Sequence, residues 1–209
     1  MRHNIEFKSR QSLCRGWLYI PDTMAKGGTA PGIVMAHGFA GLKEMGLAGY
    51  AEKFEAAGFI TLVFDYRFWG ESEGEPRNQI FAHEMVEDYR NAITWLSQRP
   101  EVDSHRIGIW GTSYSGGLCL YVGTHDSRVK AVVAQVPSTL NAESRRSKAP
   151  DTWDLVGKSL IDDRVQRYET GRVKYSKVVA PEGEPCIFPD SDAYAWYMEF
   201  KELAPNWTN

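Results

Sequence analysis

The chain has 209 residues, 43% of them hydrophobic and 24% charged, with 24 basic and 27 acidic side chains that give a formal net charge of −3. This composition is typical of one globular domain, with or without an insertion, and excludes disordered and collagen-like chains. The near-balance of charge argues against a polybasic nucleic-acid or membrane surface. No apolar run approaches the roughly 20 residues of a membrane helix, and the first ten residues lack the apolar region of a secretory signal.

The cysteines indicate a reducing environment. Cys14, Cys119 and Cys186 are odd in number, widely spaced and outside any CxxC pair. Such a pattern supports neither a disulfide framework nor a zinc site, so we expect three free thiols and a cytoplasmic location. The sequence also contains no nucleotide-binding loop and no metal-ligand spacing, so we expect no cofactor and no metal.

The first two thirds of the chain alternate between strand and helix patterns. Two short strands, residues 5–8 and 17–20, precede a loop at 27–32 and an apolar strand at 33–36. A helical face then follows and ends at Gly58; its members are Leu47, Tyr50, Ala51 and Phe54. The pattern repeats with strands at 60–64, 107–110 and 129–134, and helices around 85–96 and 114–122. This alternation predicts a doubly wound, mostly parallel α/β sheet whose strands are covered on both faces.

The pattern changes after Pro137. Asp151 is a candidate N-cap for a helix with apolar positions between 153 and 168, and Ser191 or Asp190 is a candidate N-cap for another that reaches Phe200. Residues 172–179 between them predict a short strand or hairpin. We therefore expect two units: a sheet core at 1–137 and a mostly helical lid at 138–209.

The most informative motif is residues 111–117, Gly-Thr-Ser-Tyr-Ser-Gly-Gly, directly after a predicted strand. A serine on a sharp turn between strand and helix is exposed at the carboxyl end of the sheet, and small neighbours allow that strained turn. Gly111, Ser115 and Gly116 are the small residues around Ser113. Alone, the motif is equally compatible with a glycine-rich phosphate loop or an ordinary turn. Its distance from the strand favours Ser113 over Ser115 as the exposed serine.

Two further motifs follow neighbouring strands. His37-Gly38-Phe39 comes after strand 33–36, and the small Gly38 allows the Phe39 N–H to face the same pocket as the Tyr114 N–H. These two groups would form an oxyanion hole beside Ser113, and we interpret His37 as a residue that shapes the loop. The third motif is residues 65–72, in which Asp65 and Arg67 are expected to fix a turn by hydrogen bonds.

With these three motifs in order, the chain resembles the α/β-hydrolases from residue 16 to residue 137. The similarity is to the serine-esterase and acyl-peptidase-like branch, which includes dienelactone-hydrolase-like, Xaa-Pro-peptidase-like and polyketide-transferase-like proteins. Residues 138–209 resemble the lid that such proteins insert after the sixth strand. Ser115 departs from the family pattern where the turn usually has glycine, and Phe68 departs from it after Arg67.

The family order of serine, acid and histidine is not completed in this sequence. After Ser113 the only histidine is His125, which with Asp126 is predicted to lie in a surface turn at the opposite end of the sheet. His83 and His105 are predicted on a helix and on the approach to a strand. The last two strands of the family fold, with the loops that carry its acid and base, have no counterpart, so we expect no histidine within hydrogen-bond reach of Ser113.

The resemblance implies hydrolysis or transfer of an acyl group from an ester, thioester or related small molecule, with Ser113 as nucleophile. A truncated or non-catalytic member that binds a ligand or acts as a scaffold is the alternative. No nucleic acid or membrane partner is expected. The apolar strand at 129–134 would end the sheet, which predicts either self-association through that edge or burial beneath the lid. The aromatic residues of the lid could form the wall of an apolar acyl pocket, although packing of the lid onto the core is the favoured interpretation for most of them. They are Trp153, Tyr168, Tyr175, Tyr194, Trp196, Tyr197 and Trp207.

Overall fold

The computed structural model describes residues 1–25, 27–139, 143, 146–147 and 150–209, and of residues 150–152 the backbone alone. The strands within them are β1 (Arg2–Ser9), β2 (Ser12–Tyr19), β3 (Ala30–Ala36), β4 (Ile60–Phe64), β5 (Val102–Thr112) and β6 (Val129–Gln135). The helices are α1 (Leu47–Ala56), α2 (Ala82–Ser97), α3 (Tyr114–His125), α4 (Pro150–Thr170) and α5 (Ser191–Phe200). No helix in the described part of the chain has both the length and the apolar character needed to cross a membrane.

The strands form one mixed sheet in the order β1-β2-β4-β3-β5-β6. β1 and β2 form an antiparallel hairpin and β2 is antiparallel to β4, whereas β4, β3, β5 and β6 run parallel. The predicted, mostly parallel α/β sheet is therefore confirmed. Its central strands are continuous apolar runs because helices cover both of their faces.

Two apolar clusters, one on each face, hold the sheet between its helices. Val34, Leu62 and Phe64 face the larger cluster, which includes buried side chains of α2 and α3. Met35 and Val63, one residue away on the same strands, face the smaller cluster under α1. Neighbouring strand residues point to opposite faces, so one short apolar strand contributes to both clusters.

The register of the parallel strands brings their carboxyl ends together. Ala36 at the end of β3 is paired with Phe64 at the end of β4 and with Gly111 near the end of β5. The segments that follow these strands therefore start side by side at one edge of the sheet. Those segments begin at His37, Asp65 and Ser113, and they belong to the three motifs of the sequence.

Some expectations for the second half of the chain are wrong. Residues 172–179 form no strand or hairpin; a single bridge joins Val179 to Phe188. β6 is not covered on both faces, because it lies at the sheet edge and its central residues are exposed. The described residues of 138–209 do not bury it either. Asp190 does cap α5, accepting a hydrogen bond from the Ala193 N–H at 2.7 Å, whereas the side chain of Asp151 lies outside the described residues.

Candidate active site

The turn between β5 and α3 holds Ser113 in an unusual backbone conformation. Its φ of 52° and ψ of −114° lie in a backbone region that residues other than glycine rarely adopt. Holding a residue there costs about 1–3 kcal/mol of conformational energy. The Ser113 N–H donates to the Gln135 carbonyl at 2.9 Å, and the Ser113 carbonyl accepts from Gly117 at 3.1 Å and Ser138 at 2.8 Å. These bonds tie the strained turn to the end of β6.

Small residues around Ser113 are required by the closeness of α3 to the strand. A β-carbon on Gly111 would lie 2.3 Å from the Ser115 carbonyl oxygen and 2.8 Å from the Cys119 sulfur. A β-carbon on Gly117 would lie 2.5 Å from the Ser138 carbonyl oxygen, and one on Gly116 3.0 Å from the Pro137 Cα. Any side chain at Gly111 would push α3 away from β5, and any side chain at Gly117 would push α3 away from the segment after β6.

Ser113 and Ser115 have different surroundings. Ser115 is fully buried, and its hydroxyl bonds the Tyr66 hydroxyl at 2.6 Å and the His37 carbonyl. Ser113 is partly exposed and lines a cavity. The serine that replaces the usual glycine therefore connects α3 to the two neighbouring motifs, while Ser113 is the serine that a ligand can reach.

The cavity beside Ser113 has a volume of about 280 Å³ and a mostly apolar wall. The loop after β3 forms one side of it: a β-carbon on Gly38 would lie 3.3 Å from the Ser113 Cβ. The lining residues are His37, Gly38, Phe39, Gly41, Met45, Leu47, Thr112, Ser113, Phe188, Ala193, Trp196 and Tyr197. The site is thus built from the ends of β3 and β5, together with α1 and α5.

Only part of the predicted aromatic set forms this wall. Trp196 and Tyr197 line the cavity, whereas Trp207 is buried behind the loop and Tyr168 and Tyr175 are exposed. Trp153 and Tyr194 are also not in the wall. Phe188 also lines the cavity. No sequence signal pointed to it, because it lies in a segment without helix or strand periodicity.

The proposed oxyanion donors lie on either side of Ser113. Tyr114 is the first residue of α3, and its ring packs edge-on against that of Phe39 with 5.8 Å between centroids. Among the described residues, the Phe39 N–H donates to no backbone carbonyl. The Phe39 and Ala40 carbonyls accept hydrogen bonds from the Tyr197 hydroxyl and the Trp207 indole N–H.

His37 lies at the cavity but is almost entirely enclosed. Its Nδ1 donates to the Gly38 carbonyl at 3.0 Å, which places the proton on Nδ1. Its buried Nε2 has no hydrogen-bond partner among the described residues and lies 4.0 Å from an Asp65 carboxylate oxygen. Burial lowers the pKa of His37 to about 4, so the ring is neutral near pH 7.

The other histidines lie away from Ser113. His83 is on α2 and His105 on β5, while His125 ends α3 with its Nδ1 bonded to the Tyr121 carbonyl at 2.8 Å. No histidine in the described part of the chain hydrogen-bonds Ser113. Asp126 is not the surface residue that the sequence predicted: it is buried, because Arg128 pairs with its carboxylate at 2.6 Å.

A buried lysine that sequence reasoning missed organises the loop after β3. The Lys43 ammonium lies 2.8 Å from Asp65, 2.6 Å from Glu44 and 2.8 Å from Glu71. Burial alone would lower the pKa of Lys43, but these carboxylates, Asp65 foremost, raise it above its ordinary value. Three carboxylates this close could hold a cation, and here the cation is the Lys43 ammonium.

Asp65 and Arg67 fix the turn after β4, as predicted. Asp65 accepts from the Lys43 N–H at 2.8 Å and the Glu71 N–H at 3.3 Å. The Arg67 Nε donates to Asp88 on α2 at 2.5 Å. Phe68 has a φ of 75°, which explains why glycine suits this position; its ring packs edge-on against Phe81 at 5.5 Å. Neither Asp65 nor Arg67 lines the cavity.

Comparison with known proteins matches residues 17–175 to the family described as X-Pro dipeptidyl-peptidase (S15 family). The chain is 34% identical over 207 residues to the quorum-quenching protein AidA of Acinetobacter baumannii, which covers 99% of this chain and 67% of that protein. It is 32% identical over 210 residues to thiohydrolase aneE of Aspergillus aculeatus, which covers 97% of this chain and 64% of that protein.

Solved structures share the fold of this chain. The structure of the DcsB complex with its substrate analogue matches with a TM-score of 0.79 and 31% identity, over 100% of this chain and 69% of that one. The chain spans about two thirds of the length of these relatives. It belongs to the X-Pro dipeptidyl-peptidase (S15) family and has the α/β-hydrolase fold.

Proposed function

We propose that Ser113 is the nucleophile of an acyl hydrolase or acyl transferase. The observation that carries this proposal is the strained turn, which holds Ser113 at the cavity while the neighbouring Ser115 is buried. A serine presented in this way at the start of a helix is the arrangement used for acyl transfer. The Phe39 and Tyr114 N–H groups would stabilise the oxyanion of the tetrahedral intermediate, each by a factor of about 10²–10³ in rate.

The cavity favours a compact, apolar acyl group. Its apolar lining includes Phe39, Met45, Leu47, Phe188 and Trp196, and none of the described lining residues is an acid, a lysine or an arginine. A relative named thiohydrolase supports a thioester as one substrate class, and esters would react by the same steps. The acyl group would occupy the cavity while its carbonyl oxygen points to the Phe39 and Tyr114 N–H groups.

The described residues place no histidine base against the Ser113 hydroxyl. A serine hydroxyl needs a neighbouring base to attack an ester at a useful rate, and no histidine in the described residues bonds Ser113. His37 is neutral near pH 7, but its Nδ1 is committed to the Gly38 carbonyl and its Nε2 faces Asp65. This observation favours a second candidate, a non-catalytic member that binds an acyl ligand in the cavity or serves as a scaffold.

Labelling with a fluorophosphonate separates the two candidates, because the reagent reacts with an activated serine in an oxyanion hole. We expect slow but specific labelling of Ser113 that Ser113→Ala abolishes. Ser127→Ala, a change in the turn after α3, is the matched control and should label like the wild type. We expect steady-state hydrolysis of a p-nitrophenyl ester about 10⁴–10⁶ below that of an intact triad. Absence of labelling would favour the binding module, and brisk Ser113-dependent turnover would mean that the chain holds a base.

The proposal includes a cytoplasmic location and a small-molecule partner. All three cysteines are free, and Cys14 and Cys119 are buried, which supports a reducing compartment such as the cytoplasm. The partner that the site is shaped for is a small acyl compound.

A further inference from the structure

Two side chains from the C-terminal part of the chain bond consecutive carbonyls of the loop after β3. The Tyr197 hydroxyl donates to the Phe39 carbonyl, and the Trp207 indole N–H donates to the Ala40 carbonyl at 2.8 Å. Both donor side chains are largely buried. Ala40 has a φ of 49°, a conformation that residues other than glycine adopt only with outside support.

These donors are themselves held in place by stacked aromatic rings. The Tyr197 ring lies nearly parallel to that of Trp207, with 5.5 Å between centroids, and to that of Phe188 on its other side, with 6.3 Å. Phe188 also meets the Phe39 ring edge-on at 5.4 Å. The Asn209 side chain bonds the backbone of Val178 and Val179, which fixes the segment that leads to Phe188.

We propose that Tyr197 and Trp207 are positioning residues for the oxyanion hole. Hydrogen bonds on the Phe39 and Ala40 carbonyls restrict rotation of the two peptide groups that follow the Phe39 N–H. The direction of that N–H is thereby set before a substrate arrives, as an oxyanion donor requires. This inference rests on the proposed function and adds that residues 178–209 complete the site as well as cover it.

The test compares Tyr197→Phe with Tyr194→Phe, on the same helix. Both variants lose only a hydroxyl, and the Tyr194 hydroxyl has no hydrogen bond to the loop in the described structure. In saturation kinetics with the fluorophosphonate, we expect Tyr197→Phe to lower kinact about tenfold, a fraction of the 10²–10³ that a whole donor contributes, and to leave KI within about twofold. Tyr194→Phe should match the wild type. An unchanged kinact, or an equal change in both variants, would overturn the proposal.

Backbone amide exchange of residues 37–41 separates this proposal from the function on which it rests. We expect faster exchange at Gly41, whose N–H donates to the Gly38 carbonyl within this loop, in Tyr197→Phe, and in Trp207→Phe if the first variant folds poorly. Unchanged exchange in a folded variant would overturn the positioning role. If wild-type Ser113 takes no label, the proposed function fails, and exchange still decides whether the two side chains hold the loop.

Discussion

His37 is a titratable side chain that the fold encloses almost completely. Its folded pKa of about 4 lies below the ordinary value of 6.5, because burial opposes the charged ring. Above pH 6.5 both the folded and the unfolded chain keep the ring neutral. As the pH falls from 6.5 towards 4, His37 becomes protonated in the unfolded chain but stays neutral in the folded chain. The free energy of unfolding therefore decreases.

We therefore expect wild-type protein to lose about 3 kcal/mol of stability between pH 6.5 and 4 relative to His37→Gln. Urea denaturation at several pH values measures the difference. His125→Gln is the control, because that side chain is exposed at the end of α3. Parallel pH profiles for wild type and His37→Gln would contradict the expectation.

The residues of the site differ in how far the sequence alone could place them. Ser113 could be placed because its distance from a strand and its small neighbours restrict the backbone locally. Lys43 could not, since its burial depends on Asp65 and Glu71, which reach it only once β3 and β4 are paired. Phe188 was missed for the same reason: its place in the cavity wall is set by tertiary contacts.

At the scale of helices and strands, a buried ion pair with hydrogen bonds joins the turn after β4 to α2. Asp88 on α2 is buried and accepts from the Arg67 Nε at 2.5 Å and the Arg67 N–H at 3.0 Å. Asp88→Asn would leave the Arg67 charge buried and without that partner. We expect a loss of about 3–5 kcal/mol in the free energy of unfolding, towards the lower end because Glu84 also contacts Arg67.

Glu87→Gln is the control for this change, since Glu87 is the preceding carboxylate on α2 and forms no ion pair with the described residues. It should shift the free energy of unfolding by no more than about 0.5 kcal/mol. Similar urea midpoints for the two variants would show that the Arg67–Asp88 pair does not hold the turn against α2.

Elements were predictable where periodicity and burial agree. β4 and α2 show that agreement, because every residue of β4 is buried and α2 repeats its apolar residues on one face. β6 also contains an apolar run, residues 131–134, yet its exposure depends on what lies beside it in the sheet, which a local pattern does not contain. Residues 172–179 resembled a strand in composition, but no partner strand is present among the described residues.

At the scale of the whole molecule, the outer edge of β6 pairs with no strand in the described part of the chain and exposes apolar side chains. Val132, Val133 and Val136 are exposed, and Val133 borders a groove of about 470 Å³ lined also by Phe54, Phe59 and Trp110. An unpaired apolar edge favours pairing with another chain. We therefore propose that a second copy pairs with this edge and extends the sheet.

Light scattering coupled to size exclusion tests this expectation over a range of concentrations. Wild-type protein should form dimers or larger species, and Val133→Lys should shift it towards the monomer because a further positive charge beside Arg106 and Lys130 opposes pairing. Leu155→Lys changes an exposed apolar residue of α4 and should leave the oligomers unaffected. A wild-type monomer at every concentration would contradict the proposed association.

The bond from Trp207 to Ala40 spans 167 residues of sequence, and the one from Tyr197 to Phe39 spans 158. A ribosome that adds about 5–20 residues per second needs on the order of ten seconds or more to synthesise the residues between either pair. During synthesis the sheet can therefore assemble around Ser113 before the loop after β3 receives its last two donors. A nascent chain of this protein would carry Ser113 early and complete the proposed oxyanion hole only after Tyr197 and Trp207 have been synthesised.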